Sequence, residues 1–101
     1  MREPSEIPSM AELRAEIDAL DLRLVALLAE RARFIDRAAQ LKPGEGMPAR
    51  ITARVEEVVA NAKAAAEARG LDPALVEAIW RMMVEWSIAR EEAVLGKGEA
   101  D

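Results

Sequence analysis

The longest regular pattern in the chain is a run of positions spaced alternately three and four residues apart: Met10, Leu13, Ile17, Leu20, Leu24, Leu27, Arg31, Phe34, Ala38 and Leu41. That period is the seam of a helix packed against other helices, and it predicts one helix from Met10 to Lys42. Ser9 followed by Glu12 reads as a capping box that opens it after Pro8. No Gly or Pro interrupts the run before Pro43. At ~1.5 Å per residue such a helix is roughly 50 Å long, more than three helices of one small chain can cover. The pattern therefore predicts a homodimer, in which a second copy covers the rest.

After a Pro/Gly segment at Pro43–Pro48, a second helix is expected from Ala49 to Arg69, with Ile51, Val55, Val58, Val59, Ala62, Ala65 and Ala66 as its apolar side. Gly70 is placed to terminate it, and Asp72 with Pro73 to open a third. The third helix carries Leu75, Val76, Ile79, Trp80, Met83, Val84, Ser87, Ile88, Glu91, Val94 and Leu95 on a broad apolar side. No strand pattern or internal repeat appears. The reading is an all-α fold of one long and two medium helices in an intertwined homodimer. Residues 1–9 form a flexible N-terminal segment, 10–95 the helical domain, and 96–101 a flexible tail.

Composition narrows the chemistry. The chain has 101 residues, 51% of them hydrophobic and 33% charged, which suits one soluble domain. It has neither Cys nor His, so disulfides, thiolate metal sites and the commonest general base are excluded. The reading calls for no metal and no cofactor. A net charge of −5 argues against nucleic acid as a partner. The polar start, with Pro4 and Pro8, does not resemble a signal peptide, and no apolar run reaches the ~20 residues of a membrane span. A cytoplasmic protein without a membrane partner is expected.

The remaining signal is charge on apolar faces. Arg31 occupies a seam position among Leu27, Leu28, Phe34 and Ile35, where an unpaired guanidinium would cost several kcal/mol, on the order of ~3–5. It requires an anion from another helix, another chain or a ligand. Lys42 lies eleven residues on, on the same side and ~16 Å along the axis, and both side chains can converge on one small anion. Ser87 and Glu91 place a hydroxyl and a carboxyl side by side on the third helix's inner stripe. Each has an ordinary structural explanation too. Arg31 and Glu91 would serve as an interhelical pair, and Lys42 would favour the negative end of its helix. Arg14 with Asp18 and Arg54 with Glu57 would be surface pairs. Trp80, Trp86, Met82 and Met83 would be core or dimer packing. Together the charged residues describe a site for a small dicarboxylate. Arg14 and Lys42 stand ~42 Å apart on one rod, so if both serve the site it is shared between subunits.

The stretch Leu13-Arg14-Ala15-Glu16-Ile17-Asp18-Ala19-Leu20-Asp21, then Leu27-Leu28-Ala29-Glu30-Arg31 and Lys42, resembles the all-helical class of chorismate mutase over roughly residues 10 to 95. The resemblance implies an intertwined dimer that converts chorismate to prephenate by a cofactor-free pericyclic rearrangement. It implies that Arg31, Lys42 and Arg54 of one chain and Arg14 of the other hold the substrate, with Ser87 and Glu91 in the site; Arg31, Lys42 and Glu91 are the catalytic candidates. Two positions depart from the pattern. Val55 follows Arg54, where family members commonly carry an acidic residue that binds the substrate hydroxyl, and Ile51 stands where an Asp is often found. The related isochorismate-pyruvate lyases share the Arg-Val pair, and Trp86-Ser87-Ile88-Ala89 resembles their third helix. Glu91 stands where many members have Gln, and a carboxylate donates no hydrogen bond to the ether oxygen unless it is protonated. The resemblance therefore leaves three readings: a mutase, a lyase giving salicylate and pyruvate, and a non-catalytic helical dimerisation or regulatory module on the same scaffold.

Overall fold

Local signals in the sequence become the boundaries of the helices. The computed structural model describes residues 2–97, and within them the chain forms three α-helices, α1 (Met10–Leu41), α2 (Thr52–Ala68) and α3 (Pro73–Leu95), with no strand. Single turns of 3-10 helix precede α1 at Pro4–Glu6 and follow it at Pro43–Glu45. The chain divides between Arg33 and Phe34 into two compact units.

In the N-terminal unit the capping box closes as expected on one side. Ser9 Oγ accepts from the Glu12 backbone N–H at 3.2 Å and donates to Glu12 Oε2 at 3.1 Å. Arg2 reaches Glu12 at 3.3 Å and Glu16 at 3.4 Å, which ties the entering segment to the first two turns of α1.

The second unit holds the end of α1 with α2 and α3. Lys42 still makes a helical backbone bond, to the Ala38 carbonyl at 2.9 Å, and Pro43 then stops the helix. The reversal is completed at Gly46, whose φ of 69° lies in the left-handed region. α2 starts at Thr52, three residues later than the pattern suggested. Ala49 is buried and its carbonyl accepts from the Lys42 ammonium, which holds the stretch ahead of the helix out of helical geometry. The exit from α2 satisfies its last carbonyls with two bonds, Leu71 N–H to Ala66 O at 2.9 Å and Gly70 N–H to Glu67 O at 3.2 Å. This is a Schellman motif with Gly70 at the left-handed position. Asp72 Oδ1 then accepts from Ala74 N–H at 2.9 Å and Pro73 opens α3, as the sequence pattern requires.

α2 and α3 form an antiparallel hairpin whose core is Ala49, Val84 and Ile88, with Val55, Val58 and Leu95 packed against it. Val59, Ala66 and Val76 are also buried. Along its rim run two cross-helix ion pairs, Arg81–Glu56 and Lys63–Glu77, both at 3.0 Å, and a third, Arg50–Glu85 at 2.6 Å, from the segment ahead of α2. These guanidinium and ammonium groups hydrogen-bond Glu56, Glu77 and Glu85 and hold their carboxyls below the ordinary range.

α1 is different. Only Ala39 is buried on it, while Ile17, Leu24, Leu27, Phe34 and Leu41 of the seam are all exposed. The sequence placed that seam against other helices, and one chain leaves it largely uncovered.

Candidate functional site

The charged residues selected from the sequence fall into three groups. The first is assembled by the end of α1 and the inner face of α3. Lys42 Nζ lies 2.7 Å from Glu91 Oε1 and donates a 2.7 Å hydrogen bond to the Ala49 carbonyl. Glu91 is 5% exposed and Ser87 4% exposed, one helical turn apart on α3 among Val84 and Ile88. The Ser87 hydroxyl donates back to the Met83 carbonyl at 2.8 Å. Lys42 does not serve its helix end through its side chain. Its ammonium donates to the Ala49 carbonyl and lies beside the Glu91 carboxyl on α3.

The Lys42–Glu91 contact is a charge contact with poor directionality. Glu91 Oε1 is buried and receives no well-aligned hydrogen bond, although the ammonium is close. Glu91 Oε1 therefore keeps unspent acceptor capacity beside the Lys42 ammonium.

The second group is Arg54. It is exposed and paired with Glu57 on its own helix, which is the ordinary surface arrangement weighed for it. Val55 behind it packs into the hairpin core, so no carboxyl stands at that position. The third group, Arg14 and Arg31, belongs to the N-terminal unit, where Arg14 is exposed and Arg31 half-buried.

Two partners in this region had no signal in the sequence. A backbone carbonyl leaves no mark on composition, so the role of Ala49 as acceptor for Lys42 was not legible. Arg90 is exposed but grips Asp36 on α1 with both Nε and Nη2, the latter at 3.0 Å. The two are 54 residues apart, beyond the reach of any local rule.

A surface depression of about 220 Å³ lies elsewhere, lined by Arg50, Thr52, Val55, Glu56, Arg81 and Glu85. Its two arginines and two carboxylates are mutually paired, so no uncompensated positive charge remains there for a dianion. The Lys42 cluster is the better candidate. Among the described residues no group of three His, Cys, Asp or Glu gathers to hold a metal ion, and no helix is long and apolar enough to cross a membrane.

On this helical scaffold a half-buried lysine meets a buried glutamate, one turn from a buried serine. The chain belongs to the chorismate mutase type II family, whose pattern it matches over residues 13–92. Among individual proteins it is 30% identical to the isochorismate pyruvate lyase of Pseudomonas aeruginosa over 90% of this chain and 89% of that one. It is 29% identical to the T-protein of Enterobacter agglomerans over 84% of this chain, and 31% identical over 84% to the bifunctional chorismate mutase/prephenate dehydratase of the same organism. The chain spans 23% and 22% of the lengths of those last two proteins.

Proposed function

We propose that the protein is a chorismate mutase of the cytoplasm that converts chorismate to prephenate without a cofactor, as a step toward aromatic amino acids. The observation that carries this reading is the buried Lys42–Glu91 pair. The rearrangement breaks an ether bond and develops negative charge on its oxygen, and an ammonium fixed in a water-poor site stabilises that charge. Lys42 is fixed by the Ala49 carbonyl and Glu91 and keeps one donor for the ether oxygen. Glu91 contributes a second donor when it carries a proton.

Charge balance extends the site beyond this pair. Lys42 and Glu91 together carry no net charge with Glu91 ionised and one positive charge with it protonated, whereas the substrate carries two carboxylates. Further cations are required, and in this reading they are Arg31 and Arg54 of the same chain and Arg14 of a second chain. Arg54 must exchange Glu57 for substrate, a change that costs little because the pair is exposed. The homodimer this needs is supported by the exposed apolar seam of α1 and by the exposed Leu75, Ile79, Met82 and Trp86 along one stripe of α3.

One observation favours a second reading. Val55 puts an apolar side chain where a carboxyl would bind the substrate hydroxyl, and a relative of similar length is an isochorismate pyruvate lyase. The deciding experiment incubates the purified protein separately with chorismate and isochorismate. The mutase reading expects rapid prephenate formation and little salicylate. Salicylate and pyruvate from isochorismate, with weak mutase turnover, would establish the lyase. No turnover of either, with no rise in melting temperature from a chorismate-site inhibitor, would point to a non-catalytic helical module.

A further inference from the structure

Beside the Lys42–Glu91 cluster the end of α1 is joined to α3 a second time. Arg90 Nε donates to Asp36 Oδ1 and Arg90 Nη2 to Asp36 Oδ2, two parallel bonds that match the planar fork to the carboxylate. The guanidinium also lies over the Trp86 ring, 5.2 Å from its centroid, so its plane is held on a second side. Asp36 precedes Lys42 on α1 by under two turns, and Arg90 directly precedes Glu91 on α3. On α1, Ala39 lies between Asp36 and Lys42 in helical angle and is the one buried residue of the helix. The fork and the ammonium contact thus join the end of α1 to α3 at two neighbouring points.

We propose that Asp36 and Arg90 are positioning residues for Lys42 and Glu91, the fork fixing the rotation of the end of α1 against α3 and thereby the direction of the Lys42 amine. Lysine has a long flexible stem, so its amine goes where its neighbours hold it. Those neighbours sit on two separate segments, Ala49 ahead of α2 and Glu91 on α3, and a small rotation of α1 strains both contacts. Asp36 and Arg90 are themselves about half exposed, and such a pair adds little to stability. Its consequence is geometric, and a lysine at position 90 keeps the charge without the fork.

The effect on turnover rests on the mutase or lyase reading, whereas the effect on the Lys42 amine does not. The test therefore reads both in the intact protein, comparing Asp36→Asn, Arg90→Lys and the double variant with the parent. Acetylation by acetic anhydride, followed by mass spectrometry, measures the exposure of each lysine; the parent has only Lys42, Lys63 and Lys97. Lys42 labelling is expected to rise severalfold in each variant, while Lys63, paired with Glu77 on the α2–α3 hairpin, stays as in the parent. On whichever substrate the parent turns over, kcat is expected to fall about tenfold with little change in KM, as for a sub-ångström misplacement. The double variant should be no worse than either single one. Unchanged Lys42 labelling would overturn the proposal, and so would a parallel rise at Lys63, which would make the fork a general structural brace. If the parent acts on neither substrate, the functional reading fails and the labelling still decides the positioning role.

Discussion

The α2–α3 hairpin and the α1 helix are made of similar residues and use them in opposite ways. The hairpin completes itself within one chain. Gly70 and Asp72 satisfy backbone groups at its bend, Val84 and Ile88 fill its core, and ion pairs from α2 and the segment ahead of it to α3 close its rim. α1 is also well begun, with Ser9 and Glu12 at its start, yet its apolar side chains stay in solvent: Phe34 is 69% exposed and Leu27 61%. Local order and burial are separate problems. The hairpin's sequence solves both, whereas α1 solves the first and leaves the second to another surface, which in our reading is a second copy of itself.

The largest effect that can break this comparison is on α1. Leu27→Glu puts a charge in the middle of the uncovered seam, and is expected to give a monomer in analytical ultracentrifugation and to abolish turnover. If the variant stays dimeric and active, the seam is not the contact. Next in size is the hairpin core, where Ile88→Ala should lower stability by about 2–5 kcal/mol in urea unfolding, the usual result of truncating a buried isoleucine. Asp72→Ala removes the acceptor for Ala74 N–H and is expected to cost about 0.5–2 kcal/mol by the same measurement.

The smallest effect is that of pH on the rim. Hydrogen bonds from Arg90, Arg81, Lys63 and Arg50 hold Asp36, Glu56, Glu77 and Glu85 below the ordinary carboxylate range. The unfolded chain therefore takes up protons at these groups before the folded one does. Their stabilisation is complete above the ordinary carboxylate values near ~4, and it is lost as pH falls through the lower folded values. Melting temperature should decline below about pH 4, and less steeply in high salt, where exposed pairs are screened. A melting temperature unchanged down to pH 2 would remove the rim pairs from the account.

The sequence was most informative where the physics is local. Ser9, Gly70, Asp72 and Pro73 each act on backbone groups within a few residues, and each appears where the pattern placed it. The start of α2 is not legible in the sequence, because Ala49, a good helix former, is held by Lys42 from another segment. Of the site, Lys42 and Glu91 were legible as charges on apolar faces, and the structure brings them to 2.7 Å. The surroundings that fix them, the Ala49 carbonyl and the Asp36–Arg90 fork, depend on how distant segments meet, and nothing in residue spacing encodes them. Arg54 was legible as ambiguous, and its contact with Glu57 is the surface half of that ambiguity.

If one site draws Lys42 from one chain and Arg14 from another, subunit mixing reveals it. Arg14→Ala and Lys42→Ala are prepared separately, each expected to lose on the order of 100-fold or more in turnover. They are then unfolded together and refolded as a mixture. In a two-fold symmetric dimer, every mixed dimer has one site carrying both substitutions and one carrying neither, so the mixture should recover about a quarter of the parent activity. Activity no higher than the average of the two separate variants, with mixed dimers confirmed by native mass spectrometry, would contradict a shared site.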